Sequence, residues 1–108
     1  MTDPSKPLKN RVALVTGASR GIGAAVSFRL AELGAHLILV ARTKAGLEEV
    51  DDKIRSIGGT ATITPMDLSE FSKIDQLGAA LYERYKKLDI LVGNAGLLGT
   101  LGPIYHLD

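Results

Sequence analysis

The chain has 108 residues, of which 45% are hydrophobic, and its 13 basic and 12 acidic residues leave a formal charge of +1. This size and composition fit one soluble globular domain, and the scattered basic residues give no electrostatic footprint for nucleic acid. Cysteine is absent, which excludes disulfides and a cysteine nucleophile and is compatible with a reducing cytoplasm. No apolar run approaches the 18 or so residues that would span a bilayer, so we expect no membrane partner.

Short apolar runs alternate along the chain with longer segments of helical period. The sequence predicts a flexible polar tail at residues 1–9, without the apolar segment of a secretory signal, and a domain at 10–108. The predicted strands are VALVT (12–16), HLILVA (36–41), TATIT (60–64, ended by Pro65) and LDILV (88–92). The predicted helices lie between them; Gly34 ends the first, Gly58 the second, and Ser69 caps the third. Such alternation implies right-handed crossovers and therefore an α/β fold with a parallel sheet.

A glycine-rich segment, TGASRGIG (16–23), follows the first predicted strand. Gly17 permits a tight turn, while Gly21 and Gly23 allow close approach of backbone to a ligand and of helix to sheet. The next helix then begins with free amide groups at its positive dipole end, which suits a pyrophosphate. Its position between a strand and a helix favours a dinucleotide site over a plain turn. No Gly-Lys-Ser/Thr triplet follows, so it is not a P-loop.

Arginine follows the second predicted strand, where dinucleotide folds distinguish their two cofactors. Arg42 lies about 20 residues beyond Gly23, at a position where an acidic residue would bind a ribose 2′-hydroxyl and an arginine can accommodate a 2′-phosphate. Arg20 in the glycine-rich segment can supply a second cation to the same phosphate, and guanidinium groups suit phosphate well. The alternative for both is a solvated surface arginine. Together they favour NADP over NAD.

Polar residues also follow the third and fourth predicted strands. Asp67 can accept a hydrogen bond from an adenine amino group, or can simply stabilise a helix start. Asn94 can hydrogen-bond the backbone of its own loop, and Ala95 and Gly96 leave room for a ribose; the alternative is an ordinary turn. Because ligands of parallel sheets bind beyond the carboxyl ends of the strands, the four signals would converge on one edge.

On the segments TGASRGIG, DL (67–68) and NAG (94–96), the sequence resembles the short-chain dehydrogenase/reductase family over residues 11–108. The resemblance implies a cofactor site in which each part of NADP meets a different segment. The pyrophosphate lies against Gly17, Ser19, Arg20, Gly21 and Ile22, and the adenosine 2′-phosphate lies against Arg42 and Thr43. The adenine lies against Asp67 and Leu68, and the nicotinamide-side ribose lies against Asn94, Ala95 and Gly96. One departure is Gly93, where the family often has a further asparagine.

The family transfers a hydride between a nicotinamide and a carbonyl or alcohol substrate, using a Ser, a Tyr and a Lys. The resemblance implies that Tyr-x-x-x-Lys stands on a helix after the fifth strand, whereas only four strands are predicted here. We therefore expect an incomplete, doubly wound Rossmann-type sheet of order 3-2-1-4, with strand four as an open edge and the second half absent. The expected function is the NADP-binding part of an oxidoreductase whose parent forms dimers or tetramers; these 108 residues alone would be inactive.

The sequence leaves two other hypotheses about function open. One is an NADP-binding module without catalysis; the other is a flavodoxin-like nucleotide-binding module, against which the NAG loop and Asp67 argue.

Two pairs of side chains have the spacing or composition of catalytic groups. Tyr82 and Lys86, in YERYK, are one helical turn apart, and a cation beside a phenol favours proton donation. They precede the fourth strand, however, and should lie at the amino edge of the sheet, opposite the cofactor. His106 and Asp108 suggest a triad but lack a nucleophilic serine, and an ordinary polar loop is expected there.

Overall fold

The computed structural model describes residues 5–19, 21–67, 71–86 and 88–93, with only the backbone of 71–75. Strands and helices alternate throughout this part of the chain. In order they are β1 (Val12–Thr16), α1 (Gly21–Glu32), β2 (His36–Ala41), α2 (Lys44–Ser56), β3 (Thr60–Pro65), α3 (Phe71–Tyr85) and β4 (Ile90–Val92).

The four strands form one parallel sheet in the order β3-β2-β1-β4, which confirms the predicted fold class and strand order. Thr16 pairs with Val40, Ala41 pairs with Pro65, and Val15 pairs with Val92. The carboxyl ends of all four strands therefore lie along a single edge, here called the carboxyl edge. The opposite side, where the strands begin, is called the amino edge.

Helices cover both faces of the sheet, and successive strand residues enter two separate cores. Ala13 and Val15 of β1 pack with residues of α1 and α2 on one face. Leu14 of β1 packs on the other face with Leu77 and Leu81 of α3. Burial on both sides explains why β1 and β2 read as almost continuous apolar runs, a pattern typical of parallel sheets.

Two strand boundaries differ from the sequence-based prediction. The β1–β4 ladder begins at Ala13 and Ile90, not at Leu88, because the N–H of Val12 donates to the Asp89 carboxylate (Oδ2, 2.8 Å) instead of to a strand carbonyl. β3 continues through Pro65 although proline lacks an N–H. It can do so because β3 is an edge strand and the next donor, the N–H of Met66, bonds the carbonyl of Ala41 at 2.8 Å.

The described part of the predicted tail lies against the end of α1. The N–H of Leu8 donates to the carbonyl of Leu33 at 2.9 Å, and Lys6 Nζ donates to the carbonyl of Glu32 at 2.9 Å. A lysine there also complements the negative end of the helix dipole. The predicted division between a tail at 1–9 and a domain at 10–108 stays a prediction.

Candidate functional site

The glycine-rich segment turns sharply at the carboxyl end of β1. Gly17 and Gly21 have φ angles of 65° and 61°, in the left-handed region that favours glycine. A Cβ built at either residue would meet no atom of the described residues within 4 Å, so no described side chain fills the space in front of their Cα atoms. The loop therefore exposes backbone directly in front of the first turn of α1.

Gly23 is required for a different reason, which is contact between α1 and the loop. A Cβ at Gly23 would collide with the Gly17 carbonyl oxygen and lie 2.9 Å from its carbon. Ala18 is fully buried, and its N–H donates to the carbonyl of Val40 at 3.1 Å, which holds the loop to β2. The start of α1 is thus held close beneath a loop whose outer side is open.

A cleft of about 300 Å³ lies between this loop and the first turns of α2, lined by Ser19, Thr43, Gly46 and Glu49. Thr43 is the N-cap residue of α2 with extended φ and ψ of −103° and 113°, yet its side chain makes no capping hydrogen bond. The hydroxyl of Thr43 is therefore not committed to its own helix. Arg42, immediately before it, is exposed at the end of β2.

The described members of the predicted site all follow strand ends at the carboxyl edge. They comprise Gly17, Ser19, Gly21 and Ile22 after β1, Arg42 and Thr43 after β2, and Asp67 after β3. The structure brings Ser19 and Thr43 into one cleft, and Ile22 is 83% exposed. The remaining predicted members lie outside the described residues: Arg20, Leu68, Asn94, Ala95 and Gly96. Roles for all of these residues in cofactor binding stay predictions.

Sequence reasoning did not single out Gly46 or Glu49, which also line this cleft. A glycine inside a helical pattern is itself a signal, because it weakens the helix unless packing requires it. Glu49 had no distinguishing pattern, since exposed glutamates are common on helices.

Gly93, the departure from the family pattern, lies against Thr16. A Cβ at Gly93 would collide with Thr16 Oγ1 and lie 3.0 Å from Thr16 Cβ, and its φ is 149°. Thr16 Oγ1 donates in turn to the carbonyl of Val92 at 3.4 Å. The threonine side chain therefore occupies the space that a side chain at position 93 would need.

The carboxyl end of α3, with Tyr82 and Lys86, lies at the amino edge. Tyr85 OH is 3.1 Å from Nε2 of His36, the first residue of β2, and the two rings lie 5.6 Å apart. Lys86 Nζ lies 5.2 Å from the centroid of the Tyr82 ring, so the ammonium faces the aromatic ring. His106 and Asp108 lie outside the described residues.

The described residues contain no group of three or more His, Cys, Asp or Glu side chains that could hold a metal ion. Within the same ranges, no helix combines the length and apolar character needed to cross a membrane.

Comparison with known proteins identifies the family. The short chain dehydrogenase family profile matches residues 11–108. A fatty acyl-CoA reductase of Acinetobacter baylyi is 47% identical over 89 residues, covering 82% of this chain and 30% of that protein. A 1,6-dihydroxycyclohexa-2,4-diene-1-carboxylate dehydrogenase of Pseudomonas putida is 37% identical over 102 residues, covering 94% and 37%.

Solved structures agree with these relatives. A metagenomic short-chain oxidoreductase in complex with NADP superposes with a TM-score of 0.79 at 40% identity, covering 82% of this chain and 40% of that one. The chain thus spans between 30% and 40% of the length of these three proteins. It belongs to the short-chain dehydrogenase family and covers the N-terminal part of that fold.

Proposed function

We propose that this chain is the NADP-binding portion of a short-chain oxidoreductase that transfers a hydride between the nicotinamide and a carbonyl or alcohol substrate. The observation that carries the proposal is the open glycine loop beside the cleft lined by Ser19 and Thr43, at the carboxyl edge of a parallel sheet. That edge is where doubly wound sheets bind dinucleotides. A similar metagenomic oxidoreductase, crystallised with NADP, supports the choice of cofactor.

The residues at the loop fit a pyrophosphate. The absence of side chains at Gly17 and Gly21 leaves space in front of α1, and a bulky anion needs that space. The 12-residue helix α1 begins at Gly21 and carries no acidic residue in its first turn that would repel the anion. Its unpaired N-terminal amides and its dipole favour negative charge at this position.

The residues at the cleft fit an adenosine 2′-phosphate. Arg42 is exposed directly beside Thr43, whose hydroxyl is not used to cap α2. An arginine fork can bind phosphate oxygens in a bidentate manner, and the hydroxyl of Thr43 can donate to a third oxygen. Glu49 also lines the cleft, and its carboxylate opposes a second negative charge there. The arginine, rather than this exposed glutamate, is proposed to dominate, which favours NADP over NAD.

When bound, the nicotinamide supplies the hydride chemistry; this chain holds the cofactor and orients it along the carboxyl edge. Activation of the carbonyl is assigned to the Ser, Tyr and Lys of the family, for which no described residue here is a candidate. Tyr82 is in the last turn of α3 and Lys86 directly follows that helix, so both lie at the amino edge, opposite the cofactor side. We therefore propose that these 108 residues alone give no turnover with NADPH and a panel of ketones and aldehydes.

The parent protein is proposed to act on a small carbonyl or alcohol in the cytoplasm as a homodimer or homotetramer, as the family resemblance implies. The alternative, an NADP-binding module without catalysis, predicts the same binding. It is distinguished by the coding sequence that follows residue 108: a serine followed by Tyr-x-x-x-Lys supports the oxidoreductase, and a stop codon supports the module.

Cofactor choice is tested by titrating NADPH and NADH against the chain and against Arg42→Asp. NADPH should bind at least about tenfold more tightly to the wild type, because the 2′-phosphate meets a guanidinium, and Arg42→Asp should reverse the order. Arg29→Asp is the matched control, because Arg29 is an exposed arginine of α1 paired only loosely with Glu32 at 3.4 Å. Preference of the wild type for NADH, or equal effects of the two variants, would contradict the assignment of Arg42.

A further inference from the structure

We propose that Gly46 is a positioning residue whose missing side chain sets the distance between α2 and the glycine loop, and with it the width of the cofactor cleft. The proposal rests on the proposed function, because it concerns the same cleft. It assigns a role to a residue that the resemblance does not place in the site.

The backbone at Gly46 does not require glycine. Gly46 is the third residue of α2, and its φ lies outside the left-handed region in which glycine is favoured. Apart from proline, glycine is the least favourable residue in a helix, so a side chain at this position would strengthen α2 if nothing stood in its way. The reason for glycine at this position is therefore sought in a tertiary contact.

Ser19 supplies that contact. A Cβ at Gly46 would lie 2.8 Å from Ser19 Cβ and 3.6 Å from both Ser19 O and Oγ. Carbon atoms normally pack at about 3.5–4.0 Å, so an added methyl group must separate the loop from α2 by on the order of 1 Å. Ser19 cannot retreat easily, since Ala18 beside it is fully buried and bonded through its N–H to Val40.

Moving the loop away from α2 would change the distance between the two sides of the cleft. Ser19 is proposed to face the pyrophosphate and Thr43 the 2′-phosphate, and both line the cleft with Gly46. A ligand that bridges the two sides loses contacts when their spacing changes. Misplacement of binding groups by about 1 Å typically costs tenfold or more in affinity or rate.

The first test compares affinity with stability in Gly46→Ala. NADPH affinity should fall about tenfold, and NADH affinity by only about threefold, because NADH lacks the 2′-phosphate at the α2 side. The thermal midpoint should change little, since better helix propensity offsets the new contact. A purely structural role would instead lower the midpoint and leave the ratio of NADPH to NADH affinity unchanged.

The second test is rescue through Ser19. In a Ser19→Gly background the colliding Cβ is gone, so Gly46→Ala should cost less than about twofold in NADPH affinity. Ala45→Gly is the control, because Ala45 is exposed in the same turn of α2 and its replacement changes only the helix propensity. The NADPH affinity of this variant should stay within about twofold of that of the wild type. An equal loss in both backgrounds would overturn the proposal.

The outcomes separate this inference from the proposed function. If the wild-type chain binds no NADPH, the proposed function is contradicted, and the role of Gly46 in cofactor binding is overturned with it. If the wild type and Gly46→Ala bind NADPH equally well, only the role of Gly46 is overturned. The amide resonances of Ser19 in the ligand-free protein give an independent check: Gly46→Ala should shift them, Ala45→Gly should not, and an unshifted Ser19 contradicts the contact.

Discussion

Replacing Gly93 by asparagine, the residue that the family often carries there, should destabilise this chain. A φ of 149° at Gly93 is unfavourable for any residue with a Cβ, at a cost of about 1–3 kcal/mol. A Cβ would also press on the Thr16 side chain, and forced contacts of this kind cost about 1–3 kcal/mol. A new asparagine hydrogen bond would return only about 1 kcal/mol. We expect a net loss of about 2 kcal/mol, taking the lower part of each range because the Thr16 side chain can rotate.

Urea unfolding followed by circular dichroism measures this loss. With a slope of about 2 kcal/mol per molar urea, the midpoint should fall by about 1 M. Gly58→Asn is the matched control, because Gly58 has a φ of 81° but no atom of the described residues lies within 4 Å of its Cβ position. The control therefore reports backbone cost without collision and should lose less. A midpoint for Gly93→Asn that equals or exceeds that of wild type would refute the conflict between Gly93 and Thr16.

Two further predictions concern the amino edge. Asp89→Ala should cost about 1–3 kcal/mol in urea unfolding, because it removes the acceptor 2.8 Å from the buried N–H of Val12 and the partner of Arg11 Nη1 at 3.2 Å. Asp89→Asn keeps an oxygen acceptor for the N–H of Val12 and should cost less, and equal losses would contradict this interpretation. Burial, with smaller contributions from Arg84 and Arg55, lowers the pKa of His36 below its ordinary value of 6.5. The unfolded chain therefore takes up a proton that the folded chain resists, so the contribution of His36 to stability should fall as pH is lowered through about 6.5 and stay constant above it. In His36→Gln the urea midpoint should depend less on pH between about pH 7.5 and 5.5 than it does in the wild type. An equal pH dependence in the two proteins would contradict the assignment to His36.

The sequence was sufficient for the fold because burial on both faces leaves a strong pattern. The bounds of β1 and β2 coincide with the apolar runs at 12–16 and 36–41. Prediction was less accurate where a side chain replaced a backbone partner. At the start of β4 the carboxylate of Asp89 takes the N–H of Val12, and residue propensity carries no information about that exchange.

The site was predictable only in part, because some of its determinants are distances between elements. Glycines 17 and 21 were identified from their motif, and their positive φ angles explain the residue choice. The close approach of Gly46 to Ser19 depends on how α2 packs against the loop, and no local pattern encodes it. The same applies to the contact between His36 and Tyr85, which lie 49 positions apart in the sequence.

The central claim, that NADP binds along the carboxyl edge, is tested most directly by mapping amide shifts during an NADPH titration of the chain. Saturable shifts are predicted at Gly17, Ser19 and Thr43, which surround the loop and the cleft. His36 and Tyr85, at the amino edge, should not move. No saturable shifts at millimolar NADPH, or shifts confined to the amino edge, would contradict the account.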